Sequence, residues 1–132
     1  MGSGSDDDYN RNKDFTSLKS WQSARDVKLL FYKNIILMVP KHEEYNLIIQ
    51  MKKAAVSVTA NIAEGYGRYN YQECIQFLRI SRGSLYELKD HLMSCFDLNY
   101  IDKDIFQTGL TLIENTKKLL NGYIRFKTKQ KE

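Results

Sequence analysis

The residues whose types and spacing could do chemistry are concentrated in one stretch, Asn61-Ile62-Ala63-Glu64-Gly65-Tyr66-Gly67-Arg68. On a helix, Asn61 and Glu64 stand about one turn apart, and Arg68 or Arg79 is a nearer candidate than Arg82 to pair with Glu64. An amide, a carboxylate and a guanidinium could contact a ligand or RNA, or could form a satisfied polar cluster that fixes a corner or a subunit seam. No second carboxylate, histidine or nucleophile is clearly paired with Glu64, so the pattern favours the polar cluster over catalysis.

The two glycines of this stretch suggest a phosphate-binding loop. They lack the strand-turn-helix context and the glycine and lysine pattern of such loops. We predict instead that Gly65 and Gly67 end a helix in left-handed conformations. The next helix begins near Tyr71 and leaves N–H donors beside Arg68, so a weak anion site stays open.

The histidines and cysteines do not form a metal-binding pattern. His42 and His91 share no metal spacing, and neither Cys74 nor Cys95 has a partner ligand nearby in sequence. On one helix the two thiols would lie ~31 Å apart, too far for a disulfide. We therefore expect no metal, no cofactor and two small, buried, reduced cysteines.

Three tyrosines, Tyr66, Tyr69 and Tyr71, flank Arg68. Interleaved aromatic and cationic side chains can stack on unpaired bases. They are also enriched at the cores of protein interfaces. The pattern favours an assembly surface and leaves nucleic acid open as an alternative.

The chain is mildly basic, with a formal net charge of +4. Basic side chains gather towards the C-terminus, whereas Asp6-Asp7-Asp8 lies near the other terminus. Such a tail is usually solvated charge, but contact with an RNA backbone would give a salt-dependent affinity without sequence preference. The candidate nucleic-acid-binding residues are Arg68, Arg79, Arg82, Lys117, Lys118, Arg125 and Lys127.

Helical periodicity places these residues on four segments, 16–39, 43–64, 71–98 and 102–126. Thr16 or Ser17 is predicted to cap the first, and Pro40 to end it. Asn70, with Glu73, has capping-box spacing for the third segment, and Asp102 is expected to cap the fourth.

The apolar stripe of each segment predicts which side chains face inward. Met38 in the first segment, and Leu119 and Phe126 in the fourth, belong to these stripes. Gly83 lies in the middle of the third segment, at a cost of about 1 kcal/mol relative to alanine. Its position suggests close packing against another backbone.

Long helices with short connections imply antiparallel neighbours. We predict an all-α fold, an up-down-up-down antiparallel four-helix bundle, over residues 14–127. Residues 1–13 read as a loosely held tail that begins with an expression scar, and 128–132 as a frayed basic tail. No apolar run reaches the ~18 residues of a membrane span and no secretory signal is evident, so we expect a cytoplasmic protein without membrane contact.

An ordered set of motifs covers about residues 15–120. It includes Phe15-x-x-Leu18-x-x-Trp21-x-x-Ala24, Ala54-Ala55-Val56-Ser57-Val58, the 61–68 stretch, Ser81-Arg82-Gly83-Ser84-Leu85-x-Glu87 and Leu98-Asn99-Tyr100. With this set the chain resembles the 23S rRNA intervening-sequence proteins, also called S23 ribosomal proteins. Lys53 departs from the arginine typical of the family, and lysine cannot make a planar bidentate fork.

The resemblance implies a small cytoplasmic bundle that assembles into a ring-shaped homopentamer, with no settled enzymatic activity. It implies rRNA or another structured RNA as a partner. A related branch, the accessory proteins of diversity-generating retroelements, implies a protein-interaction scaffold that binds a reverse transcriptase as the alternative. The structural or interface motif would comprise Asn61, Glu64, Gly65, Tyr66, Gly67, Gly83, Ser84 and Glu87.

Overall fold

The computed structural model describes residues 14–131, apart from the side chain of residue 131. This part of the chain forms four long helices, all of them antiparallel to their neighbours in sequence. Helix α1 comprises Lys19–Leu30 and Ile36–Met38, joined by a π-helical turn at Phe31–Ile35. Helix α2 begins with a π-helical turn at Glu44–Ile48 and continues over Ile49–Tyr66. Helix α3 is Tyr71–Asp97, and α4 is Lys103–Lys131. The predicted tail at residues 1–13 lies outside the described residues.

The four helices close into a bundle because each packs against two others. Neighbours in sequence pack together, α1 also packs against α4, and α2 and α3 share the most extensive contact. Ser84 Oγ lies 2.7 Å from Ser57 Oγ, and Ser81 Oγ donates to the Val58 carbonyl at 2.7 Å. Later positions on α3 thus meet earlier positions on α2, which confirms the antiparallel four-helix bundle.

The helix ends follow local sequence signals in three places. Val39, before Pro40, is extended (φ −82°, ψ 133°), and α1 ends there. Asn70 Oδ1 accepts from the Glu73 N–H at 3.1 Å, and Asp102 Oδ1 accepts from the Ile105 N–H at 2.9 Å. These caps confirm the predicted starts of α3 and α4.

The predicted cap of α1 was wrong. The chain first makes a 3₁₀ turn at Phe15–Ser17, and Asp14 caps it by accepting from the Thr16 N–H. Leu18 then precedes α1 without a side-chain cap. Phe15 still packs at the helix start, where its ring meets Trp21 edge-on with centroids 5.2 Å apart.

The core follows the predicted stripes with three corrections. Met38 is 44% exposed and Val39 is buried instead, because the π-helical turn in α1 adds residues to one turn and shifts the helical phase of the residues after it. Leu119 and Phe126 are also exposed, because the buried face of α4 runs through Ile113, Leu120 and Ile124. Helix α4 extends to Lys131, so residues 128–131 are helical and the predicted end at Phe126 was five residues early.

No helix within residues 14–131 is long and apolar enough to cross a membrane.

Candidate functional site

The corner between α2 and α3 does not use its glycines as predicted. No glycine in the described chain has positive φ, and Gly67 follows α2 with φ −77°. A Cβ on Gly65 would lie 3.1 Å from the Cys74 carbonyl oxygen and 3.3 Å from Phe77 Cβ. Gly65 therefore lies where α2 and α3 approach closely and a side chain would have to displace its neighbours, and the left-handed prediction was wrong.

The polar groups of the corner are satisfied within the chain. Arg68 Nη2 donates to Glu64 Oε2 at 2.8 Å, and its Nη1 lies 3.8 Å from Glu73 Oε1. The guanidinium also stacks over the Phe77 ring, 4.8 Å from its centroid. The structure thus brings Glu64 and Arg68 together as a surface cluster that braces the corner.

Asn61 belongs to a different cluster, which we call the polar seam and define as Ser57, Asn61, Ser81 and Ser84. Asn61 Nδ2 donates to the carbonyl and the hydroxyl of Ser57, both at 2.9 Å. Since Ser57 also meets Ser84, the seam ties α2 to α3. Asn61 and Glu64 therefore do not form one site.

Gly83 and Glu87 lie on the outer side of α3. A Cβ on Gly83 would meet no atom within 4 Å, so the predicted close packing is absent from the described part of this chain. Glu87 Oε2 lies 3.1 Å from His91 Nε2. Tyr66, at the end of α2, is 36% exposed.

A polar groove of about 600 Å³ runs between the start of α3 and the end of α4. The side chains around it are mostly polar and neutral, with one carboxylate and one guanidinium: Asn70 from the cap of α3, Gln72, Glu73, Gln76 and Arg79 from α3, and Thr128 from α4. We call it the α3 groove. Sequence analysis named Arg79 but not Gln72 or Gln76, although the spacing of the two glutamines on one helical face was visible.

The other predicted cations fall into two groups. The cations of the first group have partners within the chain. Arg82 Nη1 donates to Asn121 Oδ1 at 2.8 Å, and Lys117 Nζ lies 3.1 Å from Glu114 Oε1. Lys127 Nζ lies 5.3 Å from the centroid of the Tyr71 ring. Arg79, Lys118 and Arg125 are exposed. Among the described residues, these three make no hydrogen bond or ion pair.

A second polar cluster, which sequence analysis missed, lies at the opposite end of the bundle. Just after the end of α3, Asn99 has a left-handed backbone conformation with φ 61°. The Tyr100 N–H then donates to the Cys95 carbonyl at 2.8 Å. This turn brings the Tyr100 hydroxyl 2.8 Å from Glu43 Oε2, to which it donates. The available signal was Asn99 directly after a helix, since asparagine tolerates the left-handed region.

The cysteines are reduced and buried, as predicted. Burial raises the pKa of the Cys95 thiol to about 11 and also raises the pKa of Cys74. Neither is a ready nucleophile, because the thiolate is the reactive form. Within residues 14–131, no three or more His, Cys, Asp or Glu side chains are grouped to hold a metal ion.

These observations define a class of protein: an all-α bundle with satisfied polar corners and an open polar groove. The sequence profile described as 23S rRNA-intervening sequence protein matches residues 16–122. The chain belongs to this family, as the motif resemblance predicted. No curated protein matches it significantly in sequence.

Proposed function

We propose that this protein is a non-enzymatic, homo-oligomeric member of its family that binds RNA or a ribonucleoprotein through the α3–α4 side of the bundle. The observation that carries the proposal is the set of exposed cations Arg79, Lys118 and Arg125, which have no partner within residues 14–131. Cations already paired with carboxylates gain less from a phosphate, because the existing ion pair must be broken.

The position of these cations supports a shared binding surface. Arg79 lines the α3 groove together with Thr128 of α4, and Arg125 lies one turn before Thr128. Lys118 is two turns before Arg125, on the same face of α4. An RNA backbone that follows α4 could therefore contact all three side chains.

Self-association would strengthen such contacts. Val56 and Ile80 are each 47% exposed and adjoin Ser57 and Ser81 of the polar seam. Exposed aliphatic side chains on the two helices that pack most closely favour a docking face for another copy. Each weak phosphate contact would then be repeated by symmetry, and avidity would raise the affinity.

The same exposed aliphatic side chains support the alternative, a scaffold that binds a protein such as a reverse transcriptase. RNA binding separates the two proposals. A scaffold without a nucleic-acid role would bind its partner with no dependence on the groove cations.

The test is a mobility-shift titration of structured rRNA fragments over a range of salt concentrations. In the triple variant Arg79→Gln, Lys118→Gln, Arg125→Gln, affinity should fall and the slope of log affinity against log salt should flatten by about 0.7–0.9 for each phosphate contact removed. The matched control, Arg25→Gln, Lys41→Gln, Lys103→Gln, removes the same charge from exposed positions elsewhere. Equal reductions in both variants, or no binding by the wild type at low salt, would refute the proposal.

A further inference from the structure

We infer that the α3 groove binds unpaired nucleotides and selects bases that carry an exocyclic amino group, such as cytosine and adenine, over uracil. The inference rests on the proposed RNA-binding function and extends it, because phosphate contacts alone carry no base preference.

The charges of the groove are separated along α3. Glu73 lies near the helix start, and Arg79 follows six residues later, about 9 Å along the axis. A carboxylate repels phosphate and accepts hydrogen bonds from amino groups, whereas a guanidinium binds phosphate. A nucleotide in the groove would therefore place its phosphate near Arg79 and its base near Glu73.

The carboxylate of Glu73 remains accessible for this role. Its side chain is 55% exposed, and its nearest cationic group is Arg68 Nη1 at 3.8 Å. Arg68 pairs more closely with Glu64, because its Nη2 lies 2.8 Å from Glu64 Oε2. Adenine and cytosine can donate an amino hydrogen to Glu73, whereas uracil has the O4 carbonyl in place of the cytosine amino group. The one donor on that edge of uracil, N3–H, lies between two carbonyl oxygens that a carboxylate repels.

The remaining groove side chains suit a base and not a second phosphate. Gln72 and Gln76 are exposed, lie on one face of α3 and make no side-chain hydrogen bond in the part of the chain that the structure describes. Their amides can both donate to and accept from base edges. Ile75, only 4% exposed, provides an apolar contact within the groove.

An exposed aromatic side chain stands beside the groove. Tyr69 is fully solvent-exposed and immediately precedes Asn70. Aromatic rings stack on bases only when the bases are not paired, and the major groove of A-form RNA is too narrow for side chains to read. The groove therefore suits a loop, a bulge or a single-stranded end.

The test compares the binding of labelled oligo(rC) and oligo(rU) of equal length by fluorescence anisotropy at neutral pH. Both bases are pyrimidines of the same size, and they differ at position 4, where cytosine carries an amino group and uracil a carbonyl oxygen, and in the proton on N3. We expect the wild type to bind oligo(rC) about fivefold more tightly or better. In Glu73→Gln this ratio should fall towards one, because glutamine can both donate and accept.

Glu44→Gln is the matched control, since it removes one exposed carboxylate from the start of α2 and should keep the ratio. Salt-dependent RNA binding by the wild type with equal affinity for both oligomers would overturn this inference and leave the proposed function standing. A preference for oligo(rC) that survives in Glu73→Gln would overturn it as well. A wild type that binds neither the oligomers nor rRNA fragments would remove both proposals.

Discussion

The state of an individual side chain depends on partners that are distant in sequence. Glu43 and Tyr100 are joined by one hydrogen bond although they belong to different interhelical loops. This bond lowers the pKa of the Glu43 carboxyl from its ordinary value of 4.5, and it raises the pKa of Tyr100. This hydrogen bond and the edge-on contact of the Tyr100 ring with His42 couple the two loops at one end of the bundle.

Replacing Tyr100 by phenylalanine tests this contact at the residue scale. Removal of the hydroxyl should raise the pKa of Glu43 towards 4.5, as measured by NMR titration of its side-chain carboxyl. A depressed folded pKa stabilises the fold above the unfolded pKa, and this stabilisation is lost as the pH falls through the folded value. The wild type should therefore lose its stability advantage over Tyr100→Phe below about pH 4.5. An unchanged Glu43 pKa in the variant would contradict the assignment.

A helix pair depends on a small residue where the neighbouring helix comes close to it. A Cβ added to Gly65 would come close to the Cys74 carbonyl oxygen, whereas a Cβ added to Gly83 would meet no atom of the described chain within 4 Å. Both occur in helices and cannot be told apart by helix propensity. The difference lies in what the neighbouring helix places opposite each one.

The two glycines form a matched pair for mutation at the element scale. Gly65→Val should lower the free energy of unfolding by about 1–3 kcal/mol, because the new side chain forces α2 and α3 apart. Gly83→Ala should raise the free energy of unfolding by up to about 1 kcal/mol, since alanine has the higher helix propensity and its Cβ would clash with no atom of the described chain. Urea unfolding monitored by circular dichroism measures both changes. A Gly65→Val protein as stable as the wild type would show that the corner does not need the close approach.

At the scale of the whole molecule, the described part of the chain exposes several large aliphatic side chains. Val56 and Ile80 are examples beside the polar seam, and Leu37 on α1 is 75% exposed. Single exposed apolar residues are ordinary, but two on a closely packed helix pair favour an interface. This arrangement underlies the proposed homo-oligomer.

Light scattering coupled to size-exclusion chromatography tests assembly at the scale of the whole molecule. The wild type should elute with a multiple of the 15.5 kDa subunit mass. The double variant Val56→Lys, Ile80→Lys should dissociate towards the subunit, because buried lysines would repel at the interface. Leu37→Lys is the control and should keep the wild-type mass. A wild type that elutes as a single subunit at micromolar concentration would refute the oligomer.

Much of the fold could be predicted because the signals are local. Pro40, Asn70 and Asp102 act on backbone groups within a few residues, and the apolar stripes depend only on helical period. The failure in the core of α1 arose where the helical period changed. The π-helical turn in α1 moved Met38 off the core, and no glycine or proline in Phe31–Ile35 signalled it.

The candidate site was predicted less well, because a site depends on which helices meet. The sequence by itself determined four amphipathic helices, their main caps and the family, since these depend on short-range pattern. Only the tertiary structure decided that Arg82 of α3 is paired with Asn121 of α4, that Arg79 is open to a groove with Gln72 and Gln76, and that Gly65 matters for packing. The physical reason is that charge pairing and close approach are properties of distances between helices, and helical periodicity describes only one helix at a time.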